Sequence, residues 1–165
     1  MYSEKPKPTI NKITLNQFSV SGIDLGQIFQ DVLAKDMPIR FKATGNSMYP
    51  FIRDGDLLTI TPKFQIKPKI GKVVAFINPG NQSLLIHRII AKKSSSFLIM
   101  GDNSYQKTDG WVHISLILGC VTGIERNNQK VRFGLGIERF VLAFLSKHNL
   151  LKRITQRFFK TAGNP

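Results

Sequence analysis

Between Ile39 and Phe133 the apolar residues come in short runs, "DLLTI", "KVVAFI", "SLLIHRIIA", "SFLIM" and "ILGCVTGI", punctuated by glycine, proline, asparagine and aspartate. Several short apolar runs at close spacing, separated by turn residues, are the pattern of β-strands joined by tight connections. The segment "NPGNQS", between two of these runs, is a turn by composition: proline presets φ, while glycine and asparagine accept left-handed backbone. This grammar makes the chain mainly β, with a β-rich domain over residues 39–133.

The flanks follow a different period. In "GIDLGQIFQDVLAKD", residues 22–36, Ile23, Leu25, Ile28, Phe29, Val32 and Leu33 recur as the apolar stripe of a short amphipathic helix. Pro38 marks its end, because the residue before a proline is pushed out of helical geometry. Residues 1–18 have no sustained period and read as a loose arm with room for one short strand. Beyond Phe133, Ile137, Phe140, Val141 and Phe144, then Leu151, Ile154 and Phe158, fall at helical spacing, so two helices broken near His148 and Asn149 are expected. The expected organisation is an arm and helix over 1–38, the β-rich domain over 39–133 and a basic helical tail over 134–165. At 165 residues the chain suits one domain with an appendage, and two catalytic domains would not fit.

Lys and Arg number 24 against 10 Asp and Glu, a formal net charge of +14, which suits nucleic acid, an anionic membrane surface or acidic partners. The polar positions of the C-terminal helices are mostly cationic: Arg139, Lys147, Lys152, Arg153, Arg157 and Lys160. A basic amphipathic helix can rest in an anionic membrane interface, or it can simply dock on its own domain. The single cysteine, Cys120, excludes an internal disulfide framework and reads as a buried structural thiol in an apolar run. The N-terminus lacks the apolar core of a secretory signal, and no stretch reaches the roughly 18 to 20 apolar residues that span a bilayer. A cytoplasmic protein, or one peripheral to a membrane, is expected.

Chemistry concentrates in three stretches. "GNSMYPFIRDGDLLTI" places Ser47 after Gly45 and Asn46, before Met48 and Pro50, and closes on an Asp-Gly-Asp turn. A serine is a poor nucleophile at its free pKa and needs a base and oxyanion donors beside it. Here Gly45 permits close backbone approach, Pro50 and Gly55 fix turns, and Met48 offers an apolar wall; Met48 and Pro50 are thus the candidate substrate contacts. In "LLIHRII", His87 interrupts an apolar strand, and neutral imidazole can accept a serine proton. "MGDNSYQKTDGW" supplies Asp102 and Asp109, either of which can orient an imidazole; an Asx turn for Asp102 and a surface position for Asp109 are the alternatives.

In this order, "GNSMYP", "DGD", "IHRI" and "GDN" resemble the boxes of the signal peptidase I superfamily, over about Phe41 to Ile124. Bacterial signal peptidases and the related self-cleaving repressors carry a lysine where this chain has His87, so the sequence resembles the archaeal, endoplasmic-reticulum and spore-former branch. The resemblance implies a serine endopeptidase that cuts a precursor or leader peptide after small residues. By it Ser47 is the nucleophile, His87 the general base, Asp109 the triad acid and Asp102 a supporting residue, with the two aspartates exchangeable. Lys92, Lys93 and Lys107 stand as bases should His87 be structural. It implies no metal and no organic cofactor.

The chain departs from the family in two places. A charged amphipathic segment precedes the serine box where a transmembrane helix is usual, and Gly71-Lys72 replaces a Gly-Asp pair, read here as a surface change. His113 matches no family role and reads as structural or a rim residue. The alternative to an enzyme is a regulatory or peptide-binding module of the same fold touching nucleic acid or membrane through its basic face. Nucleic acid is disfavoured by the lack of a helix-turn-helix before residue 40, and self-cleavage by the lack of an Ala-Gly site upstream of Ser47. The oligomeric state is not encoded in any motif.

Overall fold

In a computed structural model the described residues are 13–15, 22–104, 107–131, 134–148 and 150. The chain is mainly β. Nine strands occur in the order β1 (Ile13–Leu15), β2 (Ile39–Lys42), β3 (Leu57–Pro62), β4 (Val73–Ile77), β5 (Leu84–Lys93), β6 (Ser96–Met100), β7 (Gly110–His113), β8 (Ile117–Arg126) and β9 (Gln129–Lys130). Helix α1 (Gly22–Ala34) follows β1, and α2 (Arg139–Lys147) follows β9. The second C-terminal helix, expected to carry Leu151, Ile154 and Phe158, lies outside the described residues.

Across the sheet the strands run β1-β2-β3-β8-β4-β5-β6-β7, with β9 paired to β8 beside this path. All neighbours are antiparallel except β1 and β2, where the N-terminal arm lies parallel to β2 with Ile13 opposite Ile39. The long strand β8 joins the two halves, pairing β3 on one edge and β4 on the other. Bulges at Thr59/Ile60, Ala75/Phe76 and Ile89/Ala91 shift register and sharpen the sheet's curvature.

Each face buries its own core. Phe29 and Leu33 of α1 pack with Ile39, Leu58, Ile60, Val73 and Ile124, all nearly inaccessible. Val74, Phe76, Ile89, Phe97, Ile99 and Val112 form the second cluster. Alternation along a strand sends successive side chains to opposite faces, so β4 feeds Val73 to one core and Val74 to the other. Cys120 is buried in the second cluster, where desolvation pushes its thiol up to about 11. A small third cluster joins Phe51 to Leu142 of α2 and closes the sheet behind β5.

Candidate active site

The serine loop between β2 and β3 is held by its own sequence. Gly45, at φ 83°, takes a backbone conformation that side chains with a Cβ rarely adopt, and its N–H donates to Asp54 Oδ1 at 2.8 Å. Asp56, two residues on, is 2 % exposed and accepts from Arg53 N and from Nε and Nη2 of Arg126 on β8, each at 2.8 Å. Burial pushes the Asp56 carboxyl up, but the Arg126 guanidinium and the Arg53 N–H outweigh it and hold the group below the usual carboxylate range. The Asp-Gly-Asp turn is therefore the clamp that anchors the serine loop to β8. Arg126 Nη2 completes it with a 3.2 Å hydrogen bond to Phe51 O.

The result leaves Ser47 exposed at the loop's tip while Met48, 4 % exposed, turns into the core. Met48 also lines the cleft beside Ser47. Pro50, expected as a substrate contact, follows a cis peptide bond, is buried, and is not part of the cleft wall.

His87 lies on β5 opposite Val74, beside the Phe76 ring, with 9 % of its side chain accessible. Its Nε2 is 2.8 Å from Ser47 Oγ, and its Nδ1 is 2.7 Å from Asp109 Oδ2. A carboxylate only accepts, so the proton between His87 and Asp109 sits on Nδ1 and leaves the Nε2 lone pair facing the serine hydroxyl. Asp109 reaches this position because its N–H bonds Ile99 O and the next residue, Gly110 at φ 83°, opens β7 against β6. Asp102 does not share it. Its carboxylate grips Arg88, Oδ1 from Nε at 2.8 Å and Oδ2 from Nη2 at 2.7 Å, with both side chains wholly buried.

Residues 101–103 are nonetheless part of the architecture. Asn103 N donates to Ser47 O at 2.8 Å, Asn103 Nδ2 to Asn46 O at 3.0 Å, and Asp102 N to Met48 Sδ at 3.4 Å. A Cβ on Gly101 would lie 2.8 Å from Ser47 O and 3.1 Å from His87 Nε2, so only glycine fits between the two. Sequence reasoning passed over Arg88, and the signal was present: a guanidinium in an apolar strand requires a buried acceptor. In the Gly71-Lys72 pair, read as a surface change, Lys72 is half-buried and Gly71 is buried, its carbonyl accepting from Arg88 Nη1 at 2.8 Å. The alternative bases are elsewhere: Lys92 and Lys93 end β5 at its far side, and Lys107 is exposed. His113, read as structural or a rim residue, is exposed and bonds Ser115.

Ser47 and His87 open into a cleft of about 330 Å³ whose walls include Phe41, Ala43, Ile52, Leu58, Leu84 and Ile86. A nucleophile, a base and an orienting carboxylate in hydrogen-bonded sequence at the edge of an apolar cleft can carry out acyl transfer.

Residues 19–112 match the model of the Peptidase S24-like family, a stretch that holds all of Ser47, His87, Asp102 and Asp109. No individual curated protein matches the chain. The chain belongs to the Peptidase S24-like family, within the serine peptidase superfamily that includes signal peptidase I.

Proposed function

We infer that this protein is a serine endopeptidase that cleaves an extended peptide by acyl transfer. Ser47 Oγ attacks the scissile carbonyl carbon as its proton passes to His87 Nε2, and the imidazolium so formed is stabilised by Asp109 at Nδ1. Backbone N–H groups near Ser47 would hold the oxyanion. The tetrahedral adduct collapses with cleavage of the C–N bond, and His87 returns the proton to the departing amine. Water, deprotonated by the same imidazole, then releases the acyl group from Ser47.

The observation that carries this reading is the unbroken Ser47–His87–Asp109 chain at 2.8 and 2.7 Å, at the mouth of an apolar cleft. A segment added beside a strand would use main-chain hydrogen bonds for affinity and the apolar wall for selectivity. The resemblance to signal peptidases favours small residues before the cut and a precursor or leader peptide as substrate.

The test is mass-spectrometric cleavage of a peptide library rich in small-x-small sites. Wild type is expected to cut at a shared motif, and Ser47→Ala and His87→Ala each to lose about three orders of magnitude or more in rate. Cleavage that survives Ser47→Ala, or no wild-type cleavage of any peptide, would contradict it.

A further inference from the structure

Helix α2 carries two apolar stripes. Leu142, Ala143 and Ser146 face inward, where Leu142 meets Phe51 and Ser146 Oγ lies 3.4 Å from Asp102 Oδ1. The other stripe faces solvent: Ile137 is 85 % exposed, Phe140 49 %, Val141 59 % and Phe144 59 %. On α2 Phe140 and Phe144 stand one turn apart with Val141 beside them, and Ile137 lies in the turn just before the helix, so the four make one apolar ridge. A helix needs one such stripe to dock on its own domain, so the second requires another partner.

Charge decides which partner. From Ile137 to the C-terminus the sequence carries six Lys or Arg and one acid, Glu138, whose carboxylate is taken up by the N–H groups of Gly134 and Gly136. A second copy seated on the ridge would bring two such segments together, and residues 151–165 folded back on it would lay Lys152, Arg153, Arg157 and Lys160 beside Arg139 and Lys147. Both arrangements juxtapose like charges without a counterion of opposite sign. Nucleic acid would meet the cations but leave the four apolar side chains in water. An anionic bilayer satisfies both features, since its headgroups take the cations and its acyl boundary takes the ridge.

We propose that the exposed ridge of Phe140, Val141 and Phe144, with Ile137 just before the helix and the cations Arg139 and Lys147 beside it, docks the protein on an anionic lipid surface. The inner stripe stays bound to Phe51 and Asp102, so the docked helix remains part of the folded domain. This inference is independent of the peptidase reading and is measured without a peptide substrate.

Vesicle co-sedimentation of the full chain tests it, with phosphatidylcholine alone and phosphatidylcholine mixed with phosphatidylglycerol. Binding is expected to the mixed vesicles only, to weaken as salt rises, and to fall at least tenfold in Val141→Asp/Phe144→Asp with an unchanged thermal midpoint. Phe64→Glu, at a strongly exposed aromatic away from the ridge, is the control and is expected to bind as wild type does. Unchanged binding in the double variant, loss in Phe64→Glu alone, or a ridge-dependent dimer by sedimentation without vesicle binding would overturn the proposal.

Discussion

His87 and Arg88 are neighbours on β5, and each holds an aspartate from the same β6–β7 loop, yet they have opposite fates. His87 faces the cleft, where 9 % of its side chain and 15 % of Asp109 remain accessible and the outer imidazole nitrogen meets Ser47. Arg88 faces the closed side, where neither it nor Asp102 is accessible at all. Four of its five N–H groups are matched: two by Asp102, and the Nη1 pair by Gly71 O at 2.8 Å and Gly134 O at 3.0 Å. The Phe51 ring lies over the guanidinium and α2 covers the set. One pair keeps a lone pair free for chemistry, whereas the other spends four of its five donors on holding the serine loop, β5 and the C-terminal segment together.

The largest effect on the closed side is expected from Arg88→Met. It leaves the Asp102 carboxylate buried without its partner, and removing one member of a buried ion pair costs about 3 to 5 kcal/mol. A denaturant midpoint shifted by that amount, with cleavage per folded molecule largely kept, sharpens the division; a stable but inactive Arg88→Met breaks it.

Gly101→Ala strikes both sides at once, because the new Cβ meets Ser47 O and His87 Nε2 from between the two pairs. Moving a catalytic group by about 1 Å can cost on the order of 100-fold in rate. A comparable loss in kcat/KM is expected, with a stability loss of about 1 to 3 kcal/mol. Wild-type kinetics in this variant would show that the packing around Gly101 does not set the Ser47–His87 geometry.

The smallest effect comes from the clamp. Asp56 is held below the ordinary carboxylate value, so the unfolded chain takes up its proton more readily than the folded one. Its contribution is present in full above the unfolded value, near pH 4, and is lost as pH falls through the lower folded value. Thermal melts from pH 7 down to pH 3 are therefore expected to show a steeper acid-side loss for wild type than for Asp56→Asn. Parallel curves would remove Asp56 from the account of the serine loop.

The strands, the two helical flanks and the Ser47–His87 pair were legible because each is written locally, in runs, turns and boxes. The division of labour between Asp102 and Asp109 came only from the family resemblance, which named Asp109 the triad acid and left the two exchangeable; it is not written locally. Both lie in one polar loop, and only register separates them. Arg88 pairs with Met100, and Ile99 with Gly110, which brings Asp102 to the guanidinium and Asp109 to the imidazole. Pairings across strands of this kind leave no mark in a local window. Nor does a local window show that the Gly71 carbonyl accepts from Arg88, or that Pro50 is buried away from the cleft. The parallel β1–β2 pair likewise joins residues 13–15 to Ile39–Phe41 across an intervening helix.

The two aspartates do different work, and the isosteric pair Asp109→Asn and Asp102→Asn separates their roles, each measured for kcat/KM and for denaturant stability. Asp109→Asn is expected to lose roughly 10⁴-fold in rate, as a triad whose histidine has the wrong tautomer does, with its unfolding midpoint nearly unchanged. Asp102→Asn is expected to lose about 3 kcal/mol of stability and to keep most of its activity per folded molecule. The reverse pattern, an active Asp109→Asn and a stable but inactive Asp102→Asn, would contradict the account.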